Sequence, residues 1–314
     1  MGKYLIQRLL AFVPTVLVMS LLVFLMIDFV PGDPVVLLLG LEASGEAINA
    51  KRIELGLHRP LPERMAKWYI NAIRGDLGDS FFLHASVTEA IVSRLPVTYS
   101  LAIFALVLAS AIGIVTGVIA AIKQGTIADW GLMLLAVLGL SIPSFWLALN
   151  LISFFAIRLK WFPLGGFVSP QENFGDYLKH LLLPGISLGV TYAAMIARMT
   201  RASMLEVLSM DYVRTARAKG LEERLVIVRH ALRNALIPII TVFGIAAGGL
   251  LGGSAIVETV FTLHGVGRLV VEAVQRRDYP VIQGGILVIT FTYLVVNLLV
   301  DLLYVWANPR ITYE

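Results

Sequence analysis

The chain has no cysteine, and only 15 % of its 314 residues are charged. The lack of cysteine excludes a disulfide-stapled secreted fold, thiolate zinc sites, iron–sulfur clusters and cysteine nucleophiles. An average soluble domain has about 25 % charged residues, so the shortage of charge argues against an ordinary soluble enzyme. Apolar residues make up 58 % of the chain, compared with roughly 45–50 % in soluble domains. This excess excludes intrinsic disorder and predicts a protein that lies in a membrane.

Six stretches without any charged residue, each 18 to 28 residues long, run through the chain. A helix needs about 20 mostly apolar residues to cross the hydrocarbon core, and continuous apolar runs differ from the alternation of a membrane barrel strand. The sequence therefore predicts an all-α polytopic membrane protein. The six predicted spans are TM1 9–30, TM2 99–122, TM3 131–157, TM4 183–204, TM5 235–257 and TM6 283–306. TM1 is predicted to be an uncleaved anchor, because its apolar stretch exceeds a typical signal-peptide core and no small-x-small cleavage site follows.

The distribution of Lys and Arg predicts the orientation. The loop 198–234 carries eight basic residues and four acidic ones, and basic residues are enriched in short cytoplasmic loops. This places that loop, the N-terminal residues 1–8 and the C-terminus in the cytoplasm. Residues 31–98 then form an extracytoplasmic loop, interpreted as a cap over the outer mouth. The net charge of +4 requires no nucleic-acid partner, since topology explains the basic excess.

The cytoplasmic loop 205–234 has the pattern of two helices joined at a glycine. Ser209 is a candidate N-cap for a helix over 210–219, and Gly220 is placed as its C-terminal stop. A short rigid helix held between two spans can act as a lever if its exposed face docks in a groove of a partner. The alternative is that its basic residues only lie beside acidic lipid headgroups.

Two segments of this loop resemble the signature loop of ABC-importer permeases, most closely the dipeptide/oligopeptide/nickel subfamily. They are Asp-Tyr-Val-Arg-Thr-Ala-Arg-Ala-Lys-Gly-Leu at 211–221 and Arg-His-Ala-Leu-Arg-Asn-Ala-Leu-Ile-Pro at 229–238. The chain departs from the general signature, because Arg-Thr-Ala stands where Glu-Ala-Ala would be and Leu-Arg where Leu-Pro would be. Both departures are usual in the peptide subfamily. Further resemblances, in the right order along essentially the whole chain, are at 29–34, 75–80, 94–98 and 141–145.

The resemblance implies a type I ABC importer permease fold in a bacterial inner membrane, with 99–314 as a five-helix permease core. It implies three kinds of partner besides the lipid bilayer: a second homologous permease subunit, two ATP-binding subunits and an extracytoplasmic solute-binding protein. The implied substrates are short peptides, with nickel chelates or glutathione as alternatives. The implied ATPase-coupling residues are Asp211, Tyr212, Val213, Arg214, Ala216, Arg217, Lys219, Gly220 and Leu221. Of these, the cations would meet an acidic or polar rim, while Tyr212, Val213 and Ala216 would pack.

No motif for catalysis or cofactor binding accompanies these features. The glycine-rich run 248–254 lacks the Lys of a phosphate-binding loop, and its small residues favour close helix packing. No zinc-protease motif, catalytic triad or metal-ligand spacing is present. We therefore expect no enzyme activity, cofactor or metal site, with ATP hydrolysis supplied by the partners.

A secondary transporter driven by an ion gradient would need inverted repeats and charges near mid-span, and the predicted spans carry no mid-span charge. Asp28 and Asp301 are interpreted as interfacial, the alternative being a substrate or proton role. Glu258 is placed at the outer end of TM5. An intramembrane enzyme would need a catalytic pair within the spans, and none is visible. The sequence leaves the substrate-binding residues undefined.

Overall fold

The computed structural model describes residues 2–29, 33–40 and 42–307 of the chain. Within these residues every regular element longer than a single bridge is a helix, which confirms the all-α prediction. The side chain of Asp28 and residues 30–32 and 308–314 lie outside what the structure describes, so the predictions for them stay predictions.

The α-helices follow one another along the chain with short connections. They are α1 (Gly2–Phe29), α2 (Pro34–Leu39), α3 (Gly45–Glu54), α4 (Leu61–Ile73), α5 (Val87–Val92), α6 (Leu95–Ile122), α7 (Ile127–Ser141), α8 (Ser144–Leu151), α9 (Phe174–Leu208), α10 (Asp211–Ala218), α11 (Glu223–Leu225), α12 (Arg233–Val260), α13 (Val266–Arg276) and α14 (Tyr279–Ala307). Two π-helical segments, Ile152–Arg158 and Val226–Leu232, extend α8 and lead into α12.

The chain divides into two compact units. Unit one comprises Met1–Val97 and His264–Leu294, and unit two comprises Thr98–Leu263 and Val295–Glu314. The core of unit one joins the segment around α5 to α13 and the start of α14. The core of unit two is built chiefly from α9 and α12, with α10 and the second π-helical segment packed on it.

Four helices in the described residues are long and apolar enough to cross a membrane: Val87–Ile122, Phe174–Leu208, Glu223–Val260 and Tyr279–Tyr304. The pair α7 and α8 counts as a fifth if it forms one broken span. A shorter apolar helix covers Leu10–Leu25, within the predicted TM1. The predicted number of six spans is therefore not confirmed and remains a prediction.

The predicted continuous TM3 is broken in the structure. α7 ends before Ile142, α8 begins at Ser144, and the two helix axes are bent by 101°. Pro143 accounts for the break, because a proline disfavours helical geometry at the residue before it. Ile142 accordingly takes an extended conformation, with φ −82° and ψ 121°. The continuity predicted for 131–157 is thus wrong at this point.

Glycines allow α6 to approach α9 closely in unit two. A Cβ added at Gly113 would lie 2.7 Å from the carbonyl oxygen of Ala193, and one at Gly117 would lie 2.6 Å from that of Ala197. The two glycines are four residues apart, so they lie on one face of α6. Small residues at this spacing bring helix backbones together in membranes, and here they fix α9 against α6.

Candidate coupling site

The helix α10 lies where the sequence predicts a short helix over 210–219, with slightly shifted ends. It begins after Met210, whereas Ser209 ends α9, its hydroxyl donating to the Glu206 carbonyl at 2.7 Å. The prediction of Ser209 as the N-cap is therefore wrong, because its side chain is used by the preceding helix. Gly220 has φ +75°, the left-handed conformation that glycine adopts without strain. The chain reverses there as expected.

One face of α10 is buried in the core of unit two. Val213 is fully buried and Ala216 is 6 % exposed, and both belong to the cluster that includes Met204 and Val226. The packing expected of Val213 and Ala216 is therefore with the chain's own helices. α10 is therefore anchored by this face to the core of unit two.

The opposite face of α10 is exposed and mostly charged. The side chains of Asp211 and Arg214 are 95 % and 71 % exposed, and the two are joined by a long contact of 3.4 Å. Lys219 and Leu221 are exposed beyond the end of the helix. These four residues, together with the exposed Tyr212, Arg217 and Gly220, are the part of the predicted coupling set that another protein could contact.

Two side chains tie α10 to the segment that leads into α12. The hydroxyl of Tyr212 accepts a hydrogen bond from the Asn234 amide at 2.8 Å and donates to the His230 carbonyl at 3.4 Å. Arg217 donates two bonds to Glu223, at 3.1 and 2.8 Å. The hydrogen bonds to Glu223 raise the pKa of the Arg217 guanidinium. Because α10 also follows α9 after only two residues, it is joined mechanically to both long helices of the core.

An ion pair with a buried carboxylate and a partly exposed guanidinium lies near the end of α9 that leads into α10. Arg201 donates to both carboxylate oxygens of Asp129 on α7, at 2.6 and 2.7 Å, and Asp129 also accepts from the Gly125 amide at 3.1 Å. The Asp129 side chain is only 5 % exposed. Paired charge-assisted bonds of this kind hold a fixed geometry, so they lock α7 to α9.

Sequence reasoning missed this pair, because Arg201 was counted only among the eight basic residues of the loop 198–234 and Asp129 lies just before the predicted TM3. The available signal was their position at the ends of two predicted spans that meet on the same side of the membrane.

The other residues that the sequence analysis singled out lie in unit two. Glu258 lies near the end of α12, is fully buried, and accepts a hydrogen bond from Thr98 at 2.8 Å. The glycine run of 248–254 lies inside α12, where Gly249 faces the ring of Tyr192. Asp301 is partly buried on α14. Within the described residues, no group of three or more His, Cys, Asp or Glu side chains could hold a metal ion.

The whole chain is similar to known proteins of one family. Residues 113–313 match the family described as binding-protein-dependent transport system inner membrane component, and residues 1–102 match its N-terminal family. A putative peptide transport system permease protein of Brucella abortus (strain 2308) is 42 % identical over 314 residues, covering all of both chains. The glutathione transport system permease protein GsiC of Escherichia coli (strain K12) is 43 % identical over 314 residues, again covering all of both chains.

A solved structure supports the fold. The MetNI methionine ABC transporter, in inward-facing conformations, matches with a TM-score of 0.57, covering 69 % of this chain and 95 % of that chain. At 19 % sequence identity this similarity shows the fold, that of an ABC importer permease, and nothing about the substrate.

Proposed function

The chain belongs to the family of binding-protein-dependent transport system inner membrane components, and on that premise we propose that it carries short peptides across a bacterial inner membrane. It pairs with a second, homologous permease subunit to form the path. Two ATP-binding subunits dock on its cytoplasmic side, and an extracytoplasmic solute-binding protein delivers the peptide. The chain itself contributes no ATPase motif, so ATP hydrolysis belongs to the docked subunits.

The observation that carries this proposal is the division of α10 into an anchored face and a free face. Val213 and Ala216 fix the helix to the core, while Asp211, Arg214 and Lys219 stay exposed. Closure of the paired ATPases would push on the exposed face. The push would then reach α9 directly, α12 through Tyr212, and α7 through Arg201. This is a rigid-body route to alternating access.

The peptide assignment rests on the name of the Brucella relative, which is 42 % identical over its full length. Glutathione is the second candidate, favoured by the 43 % identity to the glutathione permease over the same length. Both substrates are small peptide-like molecules with a free ammonium group, and glutathione carries one carboxylate more than a simple dipeptide. Uptake of a labelled dipeptide and of labelled glutathione by the reconstituted importer separates the two candidates.

Charge reversal on the free face of α10 tests the coupling role. We expect the double variant Arg214→Glu/Lys219→Glu to lose at least tenfold in peptide-stimulated ATP hydrolysis and uptake in proteoliposomes, because it opposes the sign of the docking surface. The single variant Lys123→Glu, an exposed cation on the turn between α6 and α7, is the control and should keep both activities. Full coupling in the double variant would contradict the proposed role of α10.

The orientation can be tested with single cysteines, since the chain has none of its own. Ala218 is the exposed last residue of α10. The variant Ala218→Cys should react with a membrane-impermeant maleimide only in inside-out vesicles. Arg74→Cys, at the end of α4, should react only in right-side-out spheroplasts. The reverse pattern would place α10 on the wrong side of the membrane for an ATPase and would overturn the orientation.

A further inference from the structure

Unit one contains a cavity of about 360 Å³ that the coupling function does not use. Its walls come from the loop after α3, from α4, from the turn that follows α4, and from the first residues of α14. Small-molecule sites usually enclose about 300–1,000 Å³, so this cavity matches a small ligand. In the proposed orientation it lies on the extracytoplasmic side, where the solute-binding protein would release its cargo.

Two side chains of opposite charge line this cavity without partners. They are Lys67 on α4 and Asp79 in the turn between α4 and α5. Among the described residues, neither side chain has a hydrogen-bond or ion-pair partner. By contrast Arg59, also on the wall, is paired with Glu63 at 2.7 Å. The cavity therefore offers one unused cation and one unused anion.

Among the described residues, polar groups suited to hydrogen bonding also line the cavity wall. One is the amide of Gln283 on α14, a residue that is 8 % exposed. The indole N–H of Trp68, another wall residue, is buried and unpaired in the same residues. Buried polar groups are almost always hydrogen-bonded. Gln283 can both donate and accept, and Trp68 can donate, which is what a peptide group requires.

We propose that this cavity binds a short peptide with free termini, two or three residues long, as it passes from the binding protein to the permease. Asp79 meets its ammonium end, Lys67 meets its carboxylate end, and Gln283 and Trp68 bond to the peptide group between them. The ring of Phe81, also on the wall, covers an apolar side chain. This site rests on the proposed function and gives the permease its own preference for unblocked peptides.

Binding to the assembled transporter tests the site. The complex of permeases and ATPases is placed in nanodiscs without the solute-binding protein and titrated with radiolabelled alanyl-phenylalanine. We expect Asp79→Asn and Lys67→Gln each to weaken binding about tenfold or more, because each loses a charge-assisted bond. Both positions are exposed, so both variants should fold. The matched controls Glu46→Gln and Arg74→Gln, exposed residues of unit one that do not line the cavity, should bind within about twofold of the wild type.

Peptides with a blocked terminus test which peptide end each of the two charged side chains binds. N-acetylation of the peptide should weaken its binding to the wild type, and Asp79→Asn should then cause no further loss of affinity. C-amidation should likewise weaken binding to the wild type, and Lys67→Gln should then cause no further loss. Gln283→Met, an apolar residue of similar length, should weaken binding of free and blocked peptides alike. Wild-type affinity in both charge variants, or no saturable binding to the wild-type complex, would overturn the site.

Uptake by the complete importer separates this proposal from the proposed function. If the wild type imports alanyl-phenylalanine while the cavity variants bind it normally, the site is wrong and the function stands. If the wild type imports no peptide or glutathione but imports another solute, the proposed function fails and the site fails with it.

Discussion

Each of the two units contains a nearly buried aspartate, and the two are satisfied in different ways. In unit two, Asp129 meets the guanidinium of Arg201 and thereby joins two long helices. In unit one, Asp278 accepts from the Ser80 hydroxyl and from the Phe81 amide at 3.2 Å, joining the turn before α5 to the start of α14. The joint in unit two is thus made by charge-assisted bonds between two helices, whereas the joint in unit one has only uncharged donors.

The largest effect is expected from breaking the ion pair of unit two. Arg201→Ala leaves Asp129 as an unpaired buried charge, which costs about 3–5 kcal/mol. The measurement is unfolding of the purified chain in mixed micelles, followed by tryptophan fluorescence. Arg198→Ala, an exposed residue of the same helix, is the control and should change stability by about 0.5 kcal/mol or less. Equal losses of unfolding free energy in the two variants would show that the ion pair contributes no more to stability than an exposed side chain does.

The second largest effect is expected at glycines that lie against a neighbouring helix, and one such glycine can be compared in each unit. At Gly117 a new Cβ would lie 2.6 Å from a backbone oxygen of α9 and 2.5 Å from the Cβ of Thr200. At Gly284, in unit one, the nearest atom is a terminal methyl of Val87 at 2.7 Å. Side-chain ends can rotate away but backbone cannot, so Gly117→Ala should cost about 1–3 kcal/mol and Gly284→Ala less.

The reference for both glycine variants is Gly131→Ala, where a Cβ would meet nothing within 4 Å. This variant should be neutral or stabilising by up to about 1 kcal/mol, in the same unfolding measurement. The opposite order of the Gly117 and Gly284 variants would mean that unit one is the more tightly packed of the two.

The neutral joint of unit one should tolerate change better than the ionic one. Asp278→Ala leaves the Ser80 hydroxyl and the Phe81 amide without this acceptor, which costs about 1–3 kcal/mol. Asp278→Asn keeps one acceptor oxygen and should recover part of the loss, as measured by the same unfolding transition. A loss in Asp278→Ala larger than that in Arg201→Ala would reverse the contrast between the units.

The smallest effect is expected at the exposed ion pair beside α10. The side chains of Arg217 and Glu223 are 42 % and 54 % exposed, and exposed pairs contribute about 0–1 kcal/mol. Arg217→Gln should therefore lower stability by less than about 1 kcal/mol, and high salt should shrink the difference between variant and wild type. A loss that is larger or insensitive to salt would mean that this pair is part of the buried core.

The helix α10 shows how far local sequence information extends. The exposed cations and the turn at Gly220 follow from residue types within eleven positions, so α10 could be predicted closely. Its buried face could not, because Val213 packs on Val226 and Met204, which belong to other elements. The break at Pro143 was visible locally, but only the structure gives the 101° bend.

The sequence by itself determined the class of the protein, since long apolar runs in a chain poor in charge can satisfy their backbone only as helices within a membrane. It also located the short helix α10, because the turn at Gly220 and the clustering of charged residues are local properties. The tertiary structure alone decided which distant residues meet. Asp129 and Arg201 are 72 positions apart, and the cavity of unit one brings Lys67 near Gln283. Such partners depend on how helices pack against one another, and packing is a property of the assembled chain.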